Sequence, residues 1–157
     1  MDSELKKQFA LRITQASRTE LVVITYEMFL VYIDDAKKDF TNGDQKAFRL
    51  NIQRARGCLK ELMDSLNYDY EFAGNLLSLY VYISKQLVMA DLHNDPLPLE
   101  ETIKIISKLR DAYAAISNED KEGPVMENAQ TVNSGLTYSK TGLNVSVSGT
   151  DNRGFLV

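Results

Sequence analysis

The sequence has little of the chemistry from which disulfide-stabilised or metal-dependent proteins are built. It contains one cysteine and one histidine among 157 residues, and no tryptophan. A single cysteine cannot close an intramolecular disulfide, so this composition favours a reducing compartment. Cys58 lies within an apolar helical pattern, and we interpret it as a small core residue.

No stretch of the chain is apolar and long enough to cross a bilayer. The longest apolar run, Leu21 to Ile33, is interrupted by Thr25 and Glu27 and falls short of the roughly 20 residues that a spanning helix needs. Residues 1–12 mix charges with isolated apolar residues, whereas a secretory signal has a continuous apolar run after a basic start. The sequence therefore predicts no membrane insertion, no secretory signal and a cytoplasmic location.

Support for nucleic-acid binding and for catalysis is also missing. The chain has 18 basic and 22 acidic residues, a formal net charge of -4, so it has no broad attraction for phosphates. His93 has Asp91 and Asp95 nearby but lacks the partners of a catalytic triad or of a di-metal site, and we interpret it as a solvated helix end. Glycine-rich phosphate loops are absent as well. We therefore predict no enzyme, no cofactor, no metal site and no nucleic-acid partner.

What the sequence does have is the apolar periodicity of amphipathic helices. Ser17 and Glu20 form a capping box that predicts a helix start at Arg18. Residues 94–98 contain two prolines that must end a helix, because proline lacks the backbone donor. The predicted helices span about 18–41, 45–66, 71–92 and 98–116. Short connections between them predict an all-α fold, an antiparallel four-helix bundle, over residues 1–117.

Both ends of the chain lie outside these four helices. Leu5, Phe9 and Ile13 recur every four residues and predict a short helical segment laid across the bundle. Residues 118–157 are rich in Ser, Thr, Asn and Gly, and we predict a tail because they cannot bury enough apolar surface to fold alone. The alternation of apolar and polar residues at 143–147 is typical of a strand.

The helix predicted at 18–41 is apolar on nearly all sides, which leaves two interpretations open. It is a fully buried central helix, or it presents a hydrophobic face to an amphipathic helix of a partner. A cluster of aromatic residues follows further along the chain and is interpreted as core or interface area. Its members are Tyr68, Tyr70, Phe72, Tyr80 and Tyr82.

Several blocks of residues resemble the FliS family, the flagellin-specific secretion chaperones. The segment from Ala16 to Glu27 is similar to the family's first-helix signature, Thr-Ala-Ser-Pro, an acidic pair, Leu, three apolar positions and Leu-Tyr-Asp. Arg18 replaces the proline, and Thr25 replaces the leucine before the tyrosine. The blocks Asn75-Leu76, Leu79-Tyr80-Val81-Tyr82, Leu87 and Ala90-Asp91 resemble Asn-Leu, Leu-Tyr-x-Tyr, Leu and Ala-Asn on the family's third long helix. Leu109 to Tyr113 resembles its closing Leu-Arg-x-x-Trp.

The resemblance implies a cytoplasmic export chaperone. Its client would be the disordered C-terminal segment of flagellin, which it keeps from polymerising early and helps deliver to the flagellar type III export apparatus. A component of the export gate is a further candidate partner. The residues expected to bind the client are Leu21, Ile24, Met28, Val31, Asn75, Leu79, Tyr82 and Gln86. The resemblance assigns Leu5, Phe9 and Ile13 to a segment that covers the empty groove.

The C-terminal tail and the exposed apolar face each suggest a further hypothesis. The tail after Ser117 is longer than is usual in the family, and we expect it to mimic or compete with the client. The alternative function is a dimeric helical-bundle interaction or regulatory protein without a flagellin client, in which the exposed apolar face forms a homodimer.

Overall fold

A computed structural model describes residues 1–119 and 122–126 of the chain. Within these ranges the chain forms five α-helices and no β-strand. The helices are α1 (Ser3–Gln15), α2 (Arg18–Thr41), α3 (Gln45–Asp64), α4 (Ala73–His93) and α5 (Leu99–Glu119). None of the five is long and apolar enough to span a bilayer.

Helices α2 to α5 form the predicted four-helix bundle. Helix α2 packs against α3 and α5, and α4 closes the bundle by packing against the same two helices. Contacts between opposite ends show that α2 and α5 are antiparallel. At one end Lys37 Nζ donates to Glu100 Oε1 at 2.5 Å, and at the other Ser117 Oγ donates to Glu20 Oε2 at 3.1 Å. Short connections impose this side-by-side arrangement on successive helices, and the all-α prediction is confirmed.

The core lies between α2, α3, α4 and α5. Tyr26 of α2 and Tyr80 of α4 are both buried in it, and their hydroxyl groups hydrogen-bond to each other. Burial disfavours the charged phenolate, so it raises the pKa of Tyr80 to about 12 and also raises the pKa of Tyr26. Other fully buried side chains of this core are Phe29, Ile33, Phe48, Ile52, Leu59, Ile83, Leu87, Leu99 and Ile106.

Local chemistry sets the ends of the helices. Ser17 Oγ accepts a hydrogen bond from the Glu20 N–H at 3.2 Å, so α2 begins where the capping pattern predicted. Gly43 follows α2 with a φ of 76°, a left-handed conformation that costs glycine little. Asn94 takes the same role after α4 with a φ of 49°, just before the first proline of the connection.

Three helix boundaries differ from those expected. Helix α4 begins at Ala73 instead of near residue 71, because Asn67 starts a series of turns in which its side chain accepts the Asp69 N–H at 3.0 Å. Helix α3 ends at Asp64, slightly early. Helix α5 runs to Glu119, past the predicted end near residue 116 and into the predicted tail.

The segment that follows α5 returns to the start of the bundle. Residues 122–126 lie against the junction of α1 and α2, where the Val125 N–H donates to the carbonyl oxygen of Ala16 at 3.0 Å. The predicted strand pattern at Leu143, Val145 and Val147 lies outside the described residues. The division into a bundle of residues 1–117 and a tail stays a prediction.

Candidate functional site

Helix α2 carries two apolar stripes on different faces. Tyr26, Phe29 and Ile33 recur at intervals of three and four and point into the bundle core. Ile24, with Leu21, Met28 and Val31 packed beside it, belongs to a separate apolar cluster. We call this second set, Leu21, Ile24, Met28 and Val31, the outer stripe of α2. Its existence explains why the sequence of this helix is apolar nearly all round.

Helix α1 covers the outer stripe. Phe9 packs with Ile24 in the same cluster, and Leu5 and Ile13 contribute partly buried side chains. Phe9 is 5% exposed and is the only fully buried residue of α1. The structure therefore brings together the two residue sets that the resemblance had placed on the groove and on its cover. The contact between α1 and the outer stripe is small, since Phe9 is the one buried side chain of α1.

Arg12 adds polar contacts between α1 and α2. Its guanidinium donates to Glu20 Oε1 at 2.9 Å and to Glu27 Oε2, and it lies 5.9 Å from the centre of the Phe9 ring. The hydrogen bond that Arg12 donates to Glu27 is the largest cause of a raised Arg12 pKa, and the bond to Glu20 acts in the same direction. Because all three charged side chains are partly exposed, each pair contributes only a modest stabilisation.

A cleft remains open beside α1, between α2 and α5. It has a volume of about 370 Å³ and combines apolar with charged side chains. Leu5 and Phe9 line it from α1, Val31 from α2 and Arg110 from α5. This arrangement exposes one edge of the outer stripe to solvent even while α1 is in place.

The candidate residues on α4 form a different surface. Asn75, Leu79, Tyr82 and Gln86 recur at intervals of four, three and four, so they share one face of the helix. Leu79 and Tyr82 are 36% and 37% exposed, while the intervening Leu76, Tyr80 and Ile83 are buried in the core. We call the exposed set the outer face of α4. Tyr82 reaches α5, where its hydroxyl donates to Glu101 Oε2 at 2.5 Å, and this hydrogen bond raises the Tyr82 pKa.

The eight candidate residues therefore do not form one groove. Those of α2 lie beneath α1, whereas α4 packs against α3 and α5 and exposes Asn75, Leu79 and Tyr82, with Gln86 half-buried. The motif tyrosines are divided in the same way. Tyr26 and Tyr80 are core residues that hydrogen-bond to each other, Tyr113 is partly buried against the same core, and Tyr82 is exposed.

The outer face of α4 extends beyond the residues that we predicted. Met89 is exposed and continues the spacing from Tyr82 and Gln86, and Leu92 lies exposed near the same end of the helix. The helical spacing of Met89 could have predicted from the sequence that it lies on this face. The contacts of Arg12 with Glu20 and Glu27 could not be predicted from the sequence, because they join residues on either side of a helix break.

Side chains that could ligate a metal ion do not cluster in the part of the chain that the structure describes. Among residues 1–119 and 122–126, no group of three or more His, Cys, Asp or Glu side chains is placed to hold a metal ion. His93, the residue that first raises the question, is exposed at the end of α4.

Comparison with known proteins identifies the family. The family model described as "Flagellar protein FliS" matches residues 1–120 of this chain. The chain belongs to the FliS family. A relative, the flagellar secretion chaperone FliS of Bacillus subtilis (strain 168), is 29% identical over 111 residues, which cover 70% of this chain and 84% of the relative. The resemblance drawn from the motifs of α2 and α4 is thereby confirmed, and FliS is a family of chaperones and not of enzymes.

Proposed function

We propose that this FliS-family chain is a cytoplasmic export chaperone that binds the disordered C-terminal segment of flagellin. Binding prevents premature polymerisation and aids delivery to the flagellar type III export apparatus. The observation that carries the proposal is the outer stripe of α2, an apolar cluster onto which α1 packs and which only Met28 shares with the bundle core.

The outer stripe has the spacing that an amphipathic helix needs in order to bind. Leu21, Ile24, Met28 and Val31 recur at intervals of three and four, so they form one continuous ridge. Helix α1 shows what fits there, because it presents Leu5, Phe9 and Ile13 at intervals of four to this ridge. A client helix with the same apolar pattern would bind in place of α1.

The outer face of α4 gives the client a second contact area. Leu79 and Tyr82 offer exposed apolar surface, and Asn75 and Gln86 beside them offer amide groups that can bond to an extended backbone. A segment that reaches both α2 and α4 has to wrap around the bundle. A disordered client can do so, at the cost of the entropy lost when it becomes ordered.

The same surfaces define the alternative function. The exposed apolar residues of α4 would also suit a second copy of the chain, in a dimeric interaction or regulatory protein without a flagellin client. A component of the export gate is a further partner in the proposal, and it would meet the chaperone together with its client.

Calorimetric titration with the C-terminal segment of flagellin tests the proposal. We expect one-to-one binding with a negative heat-capacity change, because apolar surface is buried. The double variant Leu79→Ala/Tyr82→Ala should weaken binding, and Leu50→Ala, which truncates an exposed leucine on α3, should not. Sedimentation of the chain alone covers the alternative. A concentration-dependent dimer without any binding of the segment would refute the chaperone proposal and favour the homodimer.

A further inference from the structure

The junction between α1 and α2 is held by a part of the chain that follows the last helix. Ala16 is the C-cap of α1 and has an extended backbone, and it is 3% exposed. Its carbonyl oxygen accepts the hydrogen bond from the Val125 N–H at 3.0 Å. Ala16 and Ser17 are the two residues that separate α1 from α2, and we call them the hinge. We call residues 122–126, which bind to it, the hinge strap.

A second contact ties the end of α5 to the same junction. Glu20 lies in the first turn of α2, and its carboxylate accepts hydrogen bonds from two other helices. Ser117 Oγ of α5 donates to Oε2 at 3.1 Å, and Arg12 of α1 donates to Oε1 at 2.9 Å. Three helices therefore meet at one carboxylate, within one turn of the hinge.

The Val125 bond opposes movement of α1 directly, and Ser117 opposes it through Glu20, because it orients the carboxylate to which Arg12 of α1 donates. Helix α2 begins at Arg18 and is fixed in the bundle, so α1 can leave the outer stripe only by rotating about the backbone of Ala16 and Ser17. The rotation at Ser17 carries the Ala16 carbonyl along with α1 and breaks its bond to Val125. The hinge strap is itself exposed, which is typical of segments that open locally while the fold persists.

We propose that the hinge strap, together with Ser117, is a conformational latch that keeps α1 on the outer stripe of α2 until the client arrives. Release of the latch raises the population of chains with the stripe uncovered. The apparent affinity of a client is its intrinsic affinity multiplied by that population. This last consequence rests on the proposed function, whereas the effect on α1 does not.

The size of the effect follows from the number of bonds lost. A hydrogen bond typically makes a net contribution that changes an equilibrium by roughly two- to tenfold. Loss of the Val125 bond should therefore raise the open-to-closed ratio of α1 by roughly that factor. Loss of the Ser117 bond should act in the same direction and add to it.

Hydrogen exchange of the full chain without any client tests the latch. Val125→Pro removes the only donor in the Val125–Ala16 bond, and Val125→Ala is the matched control because it keeps the N–H. We expect the amides of α1 to exchange roughly two- to tenfold faster in Val125→Pro than in Val125→Ala, with α3 unchanged. Equal rates in the two variants would overturn the proposal.

A second pair of variants decides the matter if proline disturbs the whole bundle. Ser117→Ala removes the hydroxyl that binds Glu20, and Ser117→Thr keeps a hydroxyl at the same position. Faster exchange of α1 in Ser117→Ala alone supports the latch, and equal rates overturn it.

Truncation links the latch to client binding. A chain that ends at Glu119 lacks the hinge strap, and a chain that ends at Met126 keeps it. The shorter chain should show faster exchange in α1 and tighter binding of the flagellin segment, compared with the longer one. Equal α1 exchange in the two chains would refute the latch. Faster exchange in the shorter chain without any flagellin binding would leave the latch intact and refute the proposed client.

Discussion

Replacement of Phe9 by alanine should detach α1 while the four-helix bundle stays folded. Phe9 is the only fully buried side chain of α1, and it packs in a cluster with Ile24 that is separate from the main core. The change therefore removes the main apolar contact of the cover without making a cavity in the bundle.

The magnitude follows from the burial of this one ring. Burial of a phenylalanine side chain contributes about 1.5–3 kcal/mol, whereas Phe→Ala in a closed core costs about 3–5 kcal/mol because a cavity remains. The lower range applies here, since α1 can undock instead of leaving a cavity. A loss of about 2 kcal/mol lowers the docked-to-undocked ratio by roughly 30-fold. The ion pairs of Arg12 cannot compensate, because partly exposed pairs contribute about 0.2–1 kcal/mol each.

Hydrogen exchange resolved by helix is the appropriate assay, with Leu11→Ala as the control. Leu11 lies on the same helix but is 57% exposed, so its truncation should leave the docking of α1 nearly unchanged. In Phe9→Ala we expect the α1 amides to exchange roughly 30-fold faster, at an almost unchanged midpoint of urea unfolding. If α1 is mostly docked in the parent chain, the flagellin segment should bind more tightly by up to the same factor.

Two results would contradict this reasoning. Equal α1 exchange in Phe9→Ala and Leu11→Ala would show that Phe9 does not hold the cover. A fall of about 3–5 kcal/mol in the free energy of unfolding would show that α1 is part of the cooperative core.

Other side chains make further predictions that can be measured directly. Tyr26→Phe leaves the Tyr80 hydroxyl buried without its partner and should lower the free energy of unfolding by about 1–3 kcal/mol. In a double-mutant cycle measured by denaturant unfolding, Tyr26→Phe combined with Tyr80→Phe should cost less than the sum of the two single changes. Burial raises both tyrosine pKa values above the ordinary 10.0. Their contribution to stability is therefore complete below pH 10 and is lost as the pH rises toward 12. The free energy of unfolding should fall by up to about 1.4 kcal/mol per pH unit for each tyrosine. The double variant should lack this loss in alkaline unfolding curves. Burial likewise raises the pKa of Cys58 to about 11, so a thiol reagent near neutral pH should modify it only at the rate of unfolding. Gly57→Ala should raise the free energy of unfolding by about 0.5–1 kcal/mol, because an added methyl group meets nothing within 4 Å inside α3. Gly43→Ala should lower it by about 1 kcal/mol, because its φ of 76° is strained for alanine.

The sequence predicted the helices well because their ends depend on neighbouring residues. The cap of Ser17, the left-handed positions at Gly43 and Asn94, and the prolines that follow act over a few residues. The start of α4 was less accurate, since the turns begun by Asn67 compete with a pattern that would also suit a helix.

The division of the candidate site between two faces could not be predicted from the sequence. Leu79 and Tyr80 are adjacent and both apolar, yet one is exposed and the other is buried against Tyr26. Helical spacing identifies residues that share a face, but it does not say which face meets the rest of the protein. Two of the motif tyrosines were for this reason indistinguishable from Tyr82 before the structure placed them.

The sequence by itself determined the helices of the bundle, the family and the apolar character of α2 on both sides. Only the tertiary structure decided that one apolar side of α2 enters the core and the other lies under α1, and that residues 122–126 return to Ala16. The physical reason is the distance along the chain over which each interaction acts. Helix propensity, capping and periodicity are set by residues a few positions apart, whereas the choice of partner for a face depends on the packing of segments far apart in the chain.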